Sequence, residues 1–264
     1  MLTELQPLPE EQMLSGFRNM LRIENSRWWN MRNILIQSTA WLASVNFILA
    51  MPLIVAPMVD SSSPTIPLEG GVEIFMGILT GVLAIGAVIL LQGSLVGEKQ
   101  SGTAAWILSN PISRSSYILS KLVAHTGGIM FVGVILQGAV GYFILSYASG
   151  VAIPLASYVT AMGLVALLTL FYISFTLMLG SFFGTRGPIM GIAIMFAFFQ
   201  DYLGQLIDGV IKGFTSILPN RLIEAAGAIM LGNPLPSIVP VASNVIFIVL
   251  FIGLAIWRFD KTEF

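Results

Sequence analysis

The chain has no cysteine, one histidine and very little charge. Only 9% of its 264 residues are Asp, Glu, Lys or Arg, against about 25% in an average soluble domain. Without cysteine there is no disulfide framework, thiolate nucleophile or cysteine metal site. His125 has no second histidine with which to share a metal, and no G-x-S-x-G run supplies a serine for it to activate. A hydrogen-bonded packing role is expected for it, and an intramembrane hydrolase is disfavoured. Lys plus Arg number 12 and Asp plus Glu 13, a net charge of −1, which offers no basic surface to DNA or RNA. No G-x-x-x-x-G-K-[ST] loop is present to cradle ATP phosphates, so energy must come from another chain or from an ion gradient. No catalytic residue, cofactor or metal site is expected in this chain.

What the chain does have is hydrophobic sequence, 56% of the total. A membrane-spanning helix needs about 20 mostly apolar residues, because the hydrocarbon layer is about 30 Å thick and a helix rises about 1.5 Å per residue. Six stretches qualify, approximately 34–59, 74–97, 122–147, 155–183, 188–206 and 237–257. The expected fold is all-α: a single polytopic membrane domain covering the whole chain. The segment before the first span begins with Glu4, Glu10 and Glu11 rather than with basic residues, unlike a cleavable signal peptide. Basic residues are retained on the cytoplasmic side. With the N-terminus inside, ten of the twelve fall there, and only Lys212 and Arg221 lie outside. Both termini are therefore expected to be cytoplasmic.

Segment 10–32 places Met13, Phe17, Met20, Leu21 and Trp28 on one side of a helix and Arg18, Asn19 and Arg22 on the other, the pattern of an amphipathic helix at the membrane interface. It is read either as an anchor lying on the inner leaflet or as an elbow to a cytoplasmic partner. The connection between the second and third spans, 98–115, predicts a short helix of its own. Gly102 permits a sharp departure from the span, Trp106, Ile107 and Leu108 make a compact apolar patch, Pro111 ends the helix, and Ser113 can cap the next one. Glu98, Lys99 and Arg114 frame the patch.

The run Glu98, Gly102-Thr103, Leu108, Pro111-Ile112-Ser113-Arg114 and Lys121 resembles the signature of the type 2 family of ATP-binding cassette (ABC) transporter permeases. The six spans and the basic amphipathic N-terminus agree with that family along the chain. The resemblance implies that 98–115 is a coupling helix seated in a separate ATPase subunit that binds ATP and Mg. Glu98 would lie at its membrane end, Gly102 and Thr103 at its turn, and Trp106, Ile107 and Leu108 against the ATPase. Pro111, Ser113 and Arg114 would return the chain to the bilayer. It further implies an exporter in a bacterial or archaeal plasma membrane, driven by two ATPase subunits. The permease would act as a homodimer, or paired with a similar permease, with the pathway along the first, second and fifth spans. Segment 219–236, with Leu222, Ile223, Ala226 and Met230 on one face, resembles the re-entrant helices that cap the outer mouth in these permeases.

A competing reading rests on Asp201, Asp208 and Lys212, which share a helical face near the outer end of the fifth span. Asp208 and Lys212 are spaced as an i, i+4 pair. Ionisable groups inside a span are candidates for an ion or substrate site, so these residues suit either an outer gate or a stand-alone secondary transporter or channel, the bland alternative being an interfacial ion pair. Gln37, Ser44, Asn46 and Gln92 are the polar groups expected along the pathway, a lining that leaves lipids, hydrophobic drugs and peptides open as cargo.

Overall fold

A computed structural model describes residues 16–60, 62 and 64–262. The first part of the expected amphipathic segment, 10–15, lies outside these residues. Among the described residues the architecture is entirely helical, with no strand. Six helices are long and apolar enough to cross a membrane.

Helix α1 (Phe17–Trp28) precedes α2 (Met31–Val59), the first span. Helix α3 (Leu68–Leu91) forms the second span. A turn at Gln92–Leu95 leads into the short helices α4 (Val96–Gln100) and α5 (Thr103–Leu108). The remaining spans are α6 (Arg114–Ser149), α7 (Leu155–Phe182), α8 (Arg186–Asp208) and α10 (Val239–Asp260). Between the last two lies α9 (Arg221–Met230). The third span starts eight residues before its apolar run, because Ser113 accepts a hydrogen bond from the Ser116 amide and satisfies the first turn of α6.

The most extensive packing joins α7 to α10. Phe171 and Phe175 of α7, Phe196 of α8, and Phe247 and Phe251 of α10 meet there with ring centroids 5.1–6.2 Å apart, in a mixture of edge, tilted and stacked pairs within the centroid range aromatic rings favour. Spans α3, α6 and α7 form the centre of the bundle. Spans α2 and α8 are peripheral: only 22% of the most apolar window of each is buried, against 61% for α7.

Two spans carry π-helical turns, in α2 at Ala43–Phe47 and Met51–Val55 and in α6 at Met130–Ile135. Such turns release backbone carbonyls that need partners inside a membrane. Gln137 Nε2 donates to the Val132 carbonyl at 2.8 Å, and Asn46 Nδ2 donates to Gln137 Oε1 at 2.6 Å. Asn46 is therefore a fixed buried link between the first and third spans and does not line an open path. Helix α1 also differs from a helix whose apolar face meets lipid. It packs along the foot of α6 and buries Met20, Glu24 and Trp28.

Candidate functional site

At the end of the bundle that holds α1, α4 and α5, the structure gathers the charged residues of three distant segments. Lys121 of α6 is fully buried. Its Nζ donates to Glu24 Oε1 at 2.7 Å and to Glu98 Oε1 at 2.8 Å. Arg27 Nη1 lies 3.3 Å from Glu24 and 3.2 Å from Glu98, and the Tyr117 hydroxyl donates to the other oxygen of Glu98. Partial burial works against the Arg27 charge, but the Glu24 and Glu98 carboxylates outweigh it and hold its pKa above the ordinary arginine value. The network ties α1 to α4 and α4 to α6, with two acids balanced by two bases. Isolated buried charges are costly, and pairing with hydrogen bonds on each lone pair offsets that cost.

Close packing completes the junction. Trp28 Nε1 donates to His125 Nδ1 at 3.2 Å, with the rings edge to face. A Cβ on Gly128 would lie 2.1 Å from the Trp28 ring, so only glycine lets the indole lie flat against α6. Tyr117 stacks on Phe259 of α10 at 5.0 Å.

The connection from α4 to α6 is fastened at both ends to other spans. Lys99 Nζ donates to the carbonyls of Gly180 and Ser181 at 3.0 and 2.9 Å, at the C-terminus of α7. Arg114 donates to the carbonyls of Phe259 and Thr262 at 3.2 and 3.0 Å, and to that of Asp260, at the C-terminus of α10. Both cations sit where unsatisfied carbonyls concentrate negative charge. Gly102 adopts a left-handed conformation, φ +73°, which turns the chain between α4 and α5, and Ser101 Oγ lies 2.8 Å from Thr103 Oγ1 across that turn.

The structure divides the apolar patch of α5. Ile107 and Leu108 are half-buried and pack against the core, whereas Trp106 is 71% exposed. Six residues make less than two turns, so one helix face is held and the other presents a single aromatic. Pro111 lies between α5 and α6, and Ser113 caps α6.

Asp201, Asp208 and Lys212 do not form one cluster. Asp201 accepts from Asn220 and lies 3.3 Å from Arg221. Helix α8 ends at Asp208, whose carboxylate accepts from the Thr215 amide at 3.1 Å and from its hydroxyl at 3.2 Å. The expected i, i+4 pair with Lys212 is absent because the helix stops before reaching Lys212, which is exposed on the following turn. In segment 219–236, α9 buries Leu222, Ala226 and Met230 against α3 and α7.

Glu24, like Arg27 and Tyr117, belongs to the candidate site but was not singled out from the sequence. Its signal was present: it stands four residues from both Met20 and Trp28, an acid in the middle of the apolar stripe. Among the described residues no group of three or more His, Asp or Glu is placed to hold a metal ion.

A second feature is the outward face of α3. A crevice of about 420 Å³ between α2 and α3 includes Gln37, Ser44 and Ile85. Another, of about 200 Å³ between α3, α7 and α8, includes Gly77, Gly81 and Ile85. The two share one side of α3, flanked by the least buried spans.

Residues 10–264 match the family described as ABC-2 family transporter protein. Comparison with curated protein sequences returns no match. The family match covers nearly the whole chain, and the chain belongs to that family.

Proposed function

We propose that this membrane permease subunit of an ABC transporter receives the motion of a separate ATPase subunit at α5, with Trp106 as the principal contact. The observation that carries the reading is the exposure of Trp106 on a six-residue helix that is tied to three spans through Lys99, Arg114 and the Glu98–Lys121 ion pair. A displacement imposed on α5 would pass to α6, α7 and α10 together, because short charged contacts leave little slack. ATP and Mg would be held by the ATPase, two copies serving two permease chains.

In the proposed orientation both termini and α5 are cytoplasmic, in the plasma membrane, as the distribution of basic residues favours. Export follows from family resemblance. The α3 face with its two crevices supports one half of a pathway completed by a second permease chain, most simply another copy: α2 and α8 have the least buried windows of the bundle, and small residues at Gly77 and Gly81 allow close approach. Helix α9 and the Asp201–Arg221 pair would then lie at the outer mouth, with α9 as its re-entrant cap. A stand-alone carrier built on Asp201, Asp208 and Lys212 gains no support from residues engaged with separate partners.

The test is a mild-detergent pull-down of the tagged chain from its native membrane, with an ATPase assay on the eluate. The wild type should retain an ATPase. Trp106→Asp should insert and fold but lose it. An ATPase retained at wild-type level by Trp106→Asp overturns the assignment of α5.

A further inference from the structure

Beside the ion-pair network is a polar cavity of about 360 Å³ that no step above uses. Arg27 and Trp28 of α1, Gln92, Gly93 and Ser94 after the second span, and Arg186 at the start of α8 line it. Two arginines therefore face one space from different elements. Their situations differ. Glu24, which also lines the cavity, is engaged by Lys121 and Arg27, and the same two bases neutralise Glu98. Arg186 has no acidic partner among the described residues and leaves one positive charge in excess. Its guanidinium lies over Gly93, where a Cβ would be 3.3 Å from Cζ. Ser94 Oγ is buried with no hydrogen-bond partner among the described residues.

The cavity is amphipathic. Ile89 and Leu90, in the last turn of the second span, add an apolar part to its wall. Trp28 also lines the cavity and its neighbour Trp29 is exposed; indoles are enriched at the boundary between headgroups and acyl chains. A planar guanidinium suits bidentate binding of phosphate oxygens, and a cationic pocket at headgroup depth draws anionic lipid from the surrounding leaflet.

We infer that this cavity binds the phosphate group of an anionic phospholipid, held by Arg186 with Ser94 and Gln92 as neutral partners and with an acyl chain along Ile89 and Leu90. Under the orientation proposed above this is an inner-leaflet lipid. The site is independent of ATPase contact, so its test does not stand or fall with that reading.

The test places the purified chain in nanodiscs of phosphatidylcholine alone or with phosphatidylglycerol, and counts retained lipids by native mass spectrometry after graded detergent exposure. The wild type should keep one phosphatidylglycerol per chain. Arg186→Gln should lower that retention about fivefold with unchanged helix content, and Arg186→Lys should restore part of it. Inorganic phosphate in phosphatidylcholine discs separates the sources. Phosphate bound in those discs by the wild type and lost in Arg186→Gln, with no retention of phosphatidylglycerol in the mixed discs, overturns the lipid in favour of a phosphate site filled from water. Failure of phosphate to bind while phosphatidylglycerol is retained supports the lipid. Equal retention by wild type and Arg186→Gln, or no preference for phosphatidylglycerol over phosphatidylcholine, overturns the inference.

Discussion

The two ends of the molecule handle charge in opposite ways. At the α1 end, Lys121 is fully buried between Glu24 and Glu98, with carboxylates supplied by segments 97 and 23 residues away in sequence. At the α9 end, Arg221 pairs with Asp201 and Glu224, whose side chains are 53% and 65% exposed. Water can replace any of the exposed partners, so those contacts hold little. Lys121 is shut off from water, so removing it strands both of its carboxylates. The end expected to receive force is thus built to move as one body, and the end expected to open is joined by contacts that separate readily.

Lys121→Met should give the largest effect. It strands two carboxylates with Arg27 alone, for a loss of about 3–5 kcal/mol, read as a fall in the unfolding midpoint in detergent. The triple variant Lys121→Met, Glu24→Gln, Glu98→Gln should recover most of that stability, since the one charge left in the network is that of Arg27, whose side chain is 59% exposed to water. Gly128→Ala should cost less, about 1–3 kcal/mol for overpacking. It pushes the Trp28 indole off α6, and amide exchange should accelerate along α1 while the remaining spans stay protected. Arg221→Ala should change stability by no more than about 1 kcal/mol. A loss there as large as that of Lys121→Met would erase the distinction between the two ends.

The spans were legible because twenty apolar residues can satisfy their backbone in lipid only as a helix, and each of the six runs overlaps a helix of the bundle. Their limits were less so. The third span begins at Arg114, not at the apolar residue 122, because a cap at Ser113 can carry a helix through polar sequence that hydropathy ignores. The motif residues of 98–115 stood out by type, yet their contacts did not. Glu98, Lys99 and Arg114 read as a charged frame around an exposed patch, whereas the structure gives them to Lys121 and to the C-termini of two other spans. Such pairings depend on where distant helices end in space, which local periodicity does not encode. The Asp208–Lys212 spacing failed for the converse reason: it assumed a helix that Asp208 itself helps to end by binding Thr215.

Trp106 is proposed to face an ATPase on the cytoplasmic side. Because the chain contains no cysteine, Trp106→Cys introduces a single reporter thiol. A membrane-impermeant maleimide should label this variant in inverted membrane vesicles and not in right-side-out ones, and labelling should fall when the co-purifying ATPase is bound. Labelling from the outer face, or labelling unchanged by the ATPase, would contradict that proposal.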